Sequence, residues 1–343
     1  MRNEVVKRIP QPHDVDARSR MKSRFDLFSQ TLPKEADLFA SWSDSNDVVV
    51  SIACATFDHG DLLDDAIRSF LLQDTSFRFE IVIRDDASTD GTRDLISSYV
   101  TLYPRIIRAK VYEENQFKLG RRPIHDWIEL TCGKFIALCE GDDFWIDQDK
   151  LQDQVTQLER HPDCVISVAG TLSYEVKKND LQELGLVEEE RIFHKPTPQY
   201  HHTSSLVIER GALGNVVAKM DKYSVFGDTA LRRLLVDEGK CISLPRLVSV
   251  YWKDGFGIWT SLSIEEMGKE HVLIFARLIR PLKYSSKLSV LPFLLRACSA
   301  YFSTALRRKE WLFAAACSAP YLVIRALDLS RRVGRRLCIR HKV

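Results

Sequence analysis

The chain has 343 residues, 45% hydrophobic and 28% charged, with a formal net charge of +2; that length holds one catalytic domain and an appendage. Eight cysteines (Cys54, Cys132, Cys139, Cys164, Cys241, Cys298, Cys317, Cys338) fall mostly in apolar segments without framework spacing, which excludes a disulfide-stapled scaffold and suits a reducing compartment. The N-terminal sequence is charged and broken by prolines, with no apolar signal core, so a cytoplasmic location is expected.

In chain order, residues 1–46 read as a polar arm with one helix over Ala17–Gln30 and no assigned function. Val48–Ala53, apolar but for Ser51, is a strand, followed by the loop Ala55-Thr56-Phe57-Asp58-His59-Gly60. A helix is predicted from Asp61 to Gln73, because Leu62, Leu63, Ala66, Ile67, Phe70 and Leu71 form the one-sided stripe of a helix lying on a sheet. Phe79–Ile83 is a second strand, stopping at Arg84-Asp85-Asp86-Ala87-Ser88-Thr89-Asp90-Gly91. Leu95, Ile96 and Tyr99 then repeat at helical spacing over Thr92–Val100. A third apolar run, Phe135–Leu138, ends at Cys139-Glu140-Gly141-Asp142-Asp143-Phe144-Trp145.

Strand, loop and helix in alternation specify an α/β fold with a mostly parallel sheet. Ligands of such sheets bind beyond the carboxyl ends of the strands. Three polar, acid-bearing loops at three strand ends therefore face one cleft. Adjacent carboxylates at Asp142 and Asp143 suit a hard divalent cation, Mg²⁺ or Mn²⁺, shared with substrate phosphates. In isolation the same pair would be an acidic turn. No Walker-type Gly-x-x-x-x-Gly-Lys and no His-Glu-x-x-His occurs, and the first loop lacks the glycines of a dinucleotide fingerprint. A nucleotidyltransferase is excluded by the missing Gly- and Lys-rich N-terminal loop.

These segments resemble, in order and spacing, the family 2 glycosyltransferases of the GT-A fold. The resemblance rests on Ser51–Asp58, Asp85–Thr92 and Gly133–Trp145, with Lys150, Leu151 and Gln154 downstream. It is dense from Val48 to Pro162 and resumes between Thr203 and Thr260. It implies a GT-A domain over 47–265 that takes a nucleoside diphosphate sugar, a UDP-sugar favoured, and a glycan or lipid-linked acceptor. Thr56 and Phe57 would belong to the nucleotide loop, with Ala55 where the family often has proline. Asp86 would meet the base edge with Asp85 beside it, Asp142 would face the ribose or sugar, and Asp143 would ligate the cation. A non-catalytic nucleotide- or glycan-binding scaffold is the alternative.

Phe226-Gly227-Asp228-Thr229-Ala230-Leu231 resembles the family's base motif, which makes Asp228 the general base; a helix N-cap is the competing reading. Many relatives read Tyr-Arg-x-His-x-Gly-Gly-x-Trp-Ser near Tyr251–Thr260, where this chain departs at Trp252, Asp254 and Phe256. Asp254 could still ligate a cation, and Trp259 is an acceptor-side residue or a packed plug. His201 and His202 lack a Cys or acidic partner at zinc spacing, so His202 is assigned to structure or to the acceptor pocket. Arg121 and Arg122 either hold diphosphate or form a solvated basic loop.

Residues 266–343 form the last predicted segment, a basic amphipathic helical tail. From His271 onward fifteen Lys/Arg face only Glu310 and Asp328, a net of +13 that leaves −11 on the rest. The apolar stretches Val272–Phe275, Leu288–Leu295 and Trp311–Ile324 fall short of the ~18–20 residues of a spanning helix. Bulky aliphatics interleaved with the cations favour an anionic membrane surface over nucleic acid. The expected location is the inner face of the cell membrane, held peripherally, unless the tail is a helical pair packed on the catalytic domain.

Overall fold

The computed structural model describes residues 12–43, 47–60, 62–194, 200–223, 227–253 and 263–278, with 281, 282, 294, 295, 297, 298, 301, 302 and 307 beyond. In chain order the elements are α1 (Pro12–Lys22), α2 (Glu35–Ser41), β1 (Val50–Thr56), α3 (Leu62–Leu71), β2 (Phe79–Asp85), α4 (Thr92–Leu102) and β3 (Ile107–Val111). Next come α5 (Pro123–Leu130), β4 (Phe135–Glu140), β5 (Phe144–Trp145), α6 (Lys150–Arg160), β6 (Cys164–Glu175), β7 (Asp180–Leu184) and β8 (Arg191–Phe193). They are followed by β9 (Val207–Glu209), α7 (Arg210–Tyr223), α8 (Asp228–Glu238), β10 (Lys240–Lys253) and α9 (Ile264–Leu278).

One sheet runs β3-β2-β1-β4-β9-β6-β10-β5, with β7 on β6 and β8 on β10. Strands β1 to β4 are mutually parallel, and β9 enters antiparallel between β4 and β6. Parallel strands covered on both faces read as unbroken apolar runs. Accordingly Val50, Ile52, Cys54, Ile81, Ile83, Ala137 and Cys139 share a core with the α3 stripe Leu63, Ala66, Ile67, Phe70 and Leu71. The register sets Thr56 level with Asp85, and Ala55 level with Glu140. Three acid-bearing turns thus leave the sheet along one edge.

The arm departs from expectation. In place of one helix over Ala17–Gln30, α1 ends at Lys22 and α2 follows at Glu35. Tertiary packing outweighs local periodicity here: Phe25 and Phe28 pack on a cluster around Phe144, and Trp42 is buried with its indole N–H on Thr75 Oγ1 at 3.1 Å. The chain groups into two units, Met1–Val217 with Glu238–Gly255, and Ala218–Asp237 with Phe256–Val343. This division differs from breaks at 46 and 265, since the arm belongs with the sheet and most of α8 does not.

Within the second unit α8 buries Ala230, Leu231, Leu234 and Leu235. The Arg233 guanidinium lies 5.8 Å from the Phe275 ring of α9. Among the described residues no helix is long and apolar enough to cross a membrane. Most of the predicted tail beyond Leu278 lies outside the described residues.

Candidate active site

The turns after β1, β2 and β4 are tied together at the sheet edge. The Asp86 N–H donates to Thr56 O at 3.0 Å and the Gly141 N–H to Ala55 O at 2.8 Å. Asp58 takes a left-handed conformation (φ 51°), uncommon outside glycine. Two bonds hold it there: its N–H donates to Ser88 Oγ at 2.8 Å, and Oδ1 accepts the Thr89 N–H at 2.7 Å. Thr92 Oγ1 accepts the N–H groups of His59 and Gly60 at 3.1 and 2.9 Å. The first two loops therefore form one rigid rim, with Thr56 buried between the part-exposed Ala55 and Phe57.

Asp85 and Asp86 are both buried. Asp85 accepts the Ser88 N–H and hydroxyl and lies 3.5 Å from Arg93 Nε. Burial raises its pKa, opposed by those bonds and by Arg93. Asp86 accepts the N–H groups of Gln116 and Phe117 at 2.7 and 3.1 Å and pairs with Arg84 at 3.2 Å. It thereby fixes the Asn115–Phe117 loop against the strand end. Arg121, expected beside diphosphate or in a solvated loop, is instead bound to Asp126 at 2.6 Å and Glu129 at 2.8 Å. Asp126 also takes Arg84 at 2.5 Å and the Tyr112 hydroxyl at 2.9 Å. A buried acid that sequence reasoning missed thus claims Arg121 to hold α5.

At the β4 end Glu140, Asp143 and His202 place one potential ligand atom each within 4.8 Å of one another. Asp143 Oδ1 accepts the Trp252 N–H at 3.0 Å, and Oδ2 lies 3.3 Å from His202 Nδ1. Glu140 Oε2 accepts the Thr203 hydroxyl at 3.0 Å. The His202 ring stacks on Tyr251 with centroids 3.9 Å apart, and Ser204 Oγ sits 2.8 Å from Nδ1. Burial first, then Asp142 and Glu140, push the Asp143 carboxyl well above the usual range; the Trp252 N–H and Arg18 oppose this.

Two mutually repelling carboxylates and an imidazole held beside them are a donor set that a divalent cation satisfies. Thr56 Oγ1 nearby is buried with no hydrogen-bond partner. Gly141 is obligatory beside it, because an added Cβ would lie 2.9 Å from that hydroxyl and 2.8 Å from His59 Nδ1. His59 Nε2 faces Asp142 at 3.8 Å. His202 is the correction to the sequence reading: its acidic partners come from β4 in space, not from neighbouring positions. Glu140 was also missed, although a carboxylate three residues before Asp143 at a strand end was a readable signal.

The model of the glycosyl transferase family 2 matches residues 51–222, half of the chain. The chain belongs to that family. A protein of Mycobacterium tuberculosis, Uncharacterized protein Rv1520, is 29% identical over 217 residues, covering 62% of this chain and 61% of its own. TuaG of Bacillus subtilis, whose name is Putative teichuronic acid biosynthesis glycosyltransferase, is 31% identical over 36% of this chain and 46% of its own. The matched region thus spans about three fifths of the first relative and about half of the second. The solved structure of TarS from S. aureus with UDP shares the fold at a TM-score of 0.53 and 14% identity, over 75% of this chain and 72% of its own.

Family 2 membership covers the sheet-edge rim and the Glu140–Asp143 turn, and it ends before Asp228. In the second unit Asp228 is the first residue of α8, with Oδ1 accepting the Thr229 N–H at 2.7 Å and Oδ2 3.2 Å from Arg232. That is a helix-start position, where an acid is favoured by the free N–H groups and the helix dipole. Asp254 and Trp259 lie outside the described residues.

Proposed function

We propose that this family 2 glycosyltransferase moves a sugar, with inversion, from a nucleoside diphosphate sugar to a hydroxyl of a glycan or lipid-linked acceptor in cell-surface glycan synthesis. The observation that carries the reading is the Glu140–Asp143–His202 cluster at the carboxyl ends of parallel strands. A UDP-sugar is favoured, since TarS was solved with UDP and with UDP-GlcNAc, and an Escherichia coli relative, WfaP, is named as a UDP-Glc-dependent glucosyltransferase. WfaP is 32% identical over 32% of this chain and 41% of its own.

Ala55, Thr56 and Phe57 form the wall against the nucleotide, and the orphaned Thr56 hydroxyl supplies a free polar contact. Asp86 and Asp85 hold the base-side loops, and Asp142 faces the ribose or sugar. Glu140, Asp143 and His202 hold Mn²⁺ or Mg²⁺; an imidazole ligand tilts the choice toward the transition metal. Such an ion stabilises the charge that develops on the diphosphate leaving group. Asp228 takes the proton of the acceptor hydroxyl as the acceptor oxygen bonds the anomeric carbon and the bond from that carbon to the nucleoside diphosphate breaks. The basic tail rests the enzyme on an anionic membrane surface at the cytoplasmic face.

Calorimetric titration of UDP and GDP, with and without Mn²⁺, tests the assignment on wild type and Asp143→Ala. Mn²⁺-dependent binding is expected in the wild type and lost in a variant that keeps its circular dichroism spectrum. Equal affinities would remove the metal assignment.

A further inference from the structure

Arg18 on α1 has no part in the matched family segment, which begins at residue 51, yet its guanidinium is buried against the metal turn. Nη1 donates to the main-chain oxygen of Asp142 at 2.8 Å, Nη2 to Leu62 O at 3.1 Å, and Nε to Asp65 Oδ2 at 2.6 Å. Its carbon lies 4.9 Å from the Phe144 ring centre and 5.2 Å from that of Trp252. Lys22 braces the far oxygen of Asp65 at 2.6 Å. Ala17 and Met21, one residue before and three after Arg18, anchor α1 in the cluster of Phe144, Leu172, Tyr174, Val250 and Trp252.

We infer that Arg18 is a positioning residue for the cation site, an inference that rests on the functional reading above. Three routes converge on Asp143. The Asp142 carbonyl belongs to the peptide that leads into Asp143, so the bond from Nη1 fixes the direction of that peptide. Phe144 follows it, and Trp252 supplies the N–H that holds Asp143 Oδ1; the guanidinium packs on both rings. The same planar fork reaches Leu62 and Asp65 on α3, locking the metal turn to the helix after the first loop. Lysine cannot copy this, because its three donors sit on one nitrogen and cannot spread across these partners as the fixed planar fork does.

The test uses the full chain with UDP at saturation and Mn²⁺ as the probe, free Mn²⁺ being read from its electron paramagnetic resonance signal. Arg18→Met is expected to weaken Mn²⁺ uptake at least tenfold per folded molecule, with Arg18→Lys between it and wild type. Donor turnover should show the matching split, with the Mn²⁺ requirement raised and most of kcat recovered at high Mn²⁺. A purely architectural role would lower Tm and leave Mn²⁺ affinity of the folded fraction as it was. If Arg18→Met does not fold, Arg18→Lys decides, and an affinity within twofold of wild type overturns the inference. Wild-type uptake with unaltered variants sinks this inference alone; a wild type that takes up no Mn²⁺ sinks the functional reading and this inference with it.

Discussion

His202 Nδ1 lies 3.3 Å from Asp143 Oδ2, and the contact exists because β9 pairs with β4. Ala137 stands opposite Val207, and the Leu138 N–H donates to Leu206 O at 3.2 Å. The turn Thr203–Ser205 before β9 is thereby pressed against the end of β4 where Glu140 emerges. A divalent cation there would draw ligands from two antiparallel partners.

His202→Phe keeps a ring to stack on Tyr251 while removing both nitrogens. Its affinity for Mn²⁺ in the presence of UDP is expected to fall at least tenfold, the scale on which even outer-shell partners of a metal act. Near-native Tm with this loss assigns His202 to the cation. Undiminished Mn²⁺ affinity would return it to the stacking or acceptor-side role read from the sequence.

The strands and the acids at their tips were legible because parallel strands covered on both faces are largely apolar and gather most of their polar residues on leaving the sheet. Phe79–Asp85 and Phe135–Glu140 extend the runs seen in the sequence by two residues each, whereas Val50–Thr56 begins two residues later and ends three later than the run Val48–Ala53. What joined Glu140 to His202 was not legible, since β9 has only three residues and its pairing is long-range. Arg121 illustrates the converse: a basic residue near a nucleotide loop suits phosphate until the buried acid that claims it, Asp126, is seen. Arg18 escaped because α1 has only a thin apolar edge, Ala17 and Met21, and nothing local distinguishes a cation bound for the interior from one facing water.

Asp228→Asn should lower turnover by roughly 10²-fold or more, the scale of general-base catalysis. Donor affinity should stay near wild type, because the base acts on the acceptor. The amide can still accept from the Thr229 N–H, so the helix start is retained in large part. Calorimetry of UDP with Mn²⁺ beside single-turnover transfer separates the outcomes. Weakened donor binding with intact transfer per bound donor would make Asp228 a structural residue.

Lys150 starts α6 fully buried, with Nζ 4.2 Å from the Trp145 ring centre and without a hydrogen-bond partner. Burial brings its pKa down to about 7, against partial support from Cys139 and Asp147. An unfolded lysine titrates near ~10.4. Between these limits the unfolded chain binds the extra proton, so this group's contribution to stability rises with pH; below about 7 the folded state bears the full penalty. Lys150→Met should therefore gain most over wild type near pH 6. That advantage should shrink by about 1.4 kcal/mol per pH unit across the window. Urea unfolding of both proteins at three pH values measures it, and a gap that does not vary with pH would refute the buried, neutral amine.

The tail gives the last prediction, and it rests on sequence because residues 308–343 lie outside the described residues. Arg331, Arg332, Arg335 and Arg336 sit within six positions, downstream of Trp311, Leu312, Phe313, Tyr321, Leu322 and Ile324. Near an anionic surface each arginine contributes about 1 kcal/mol, an attraction that fades within a Debye length and weakens with salt. Changing all four to glutamine should lower affinity for phosphatidylglycerol-containing vesicles by about a thousandfold at low salt, if the four contributions of ~1 kcal/mol add. The apolar residues supply a remainder that salt does not remove. Mn²⁺-dependent UDP binding by the same variant should match wild type, since the proposed nucleotide site is built from the strand ends of the sheet. Co-sedimentation with vesicles of phosphatidylcholine, with and without phosphatidylglycerol, reads the result across a salt series. Equal sedimentation of wild type and variant would show that these charges are a solvated face and that the membrane role belongs elsewhere or nowhere in this chain.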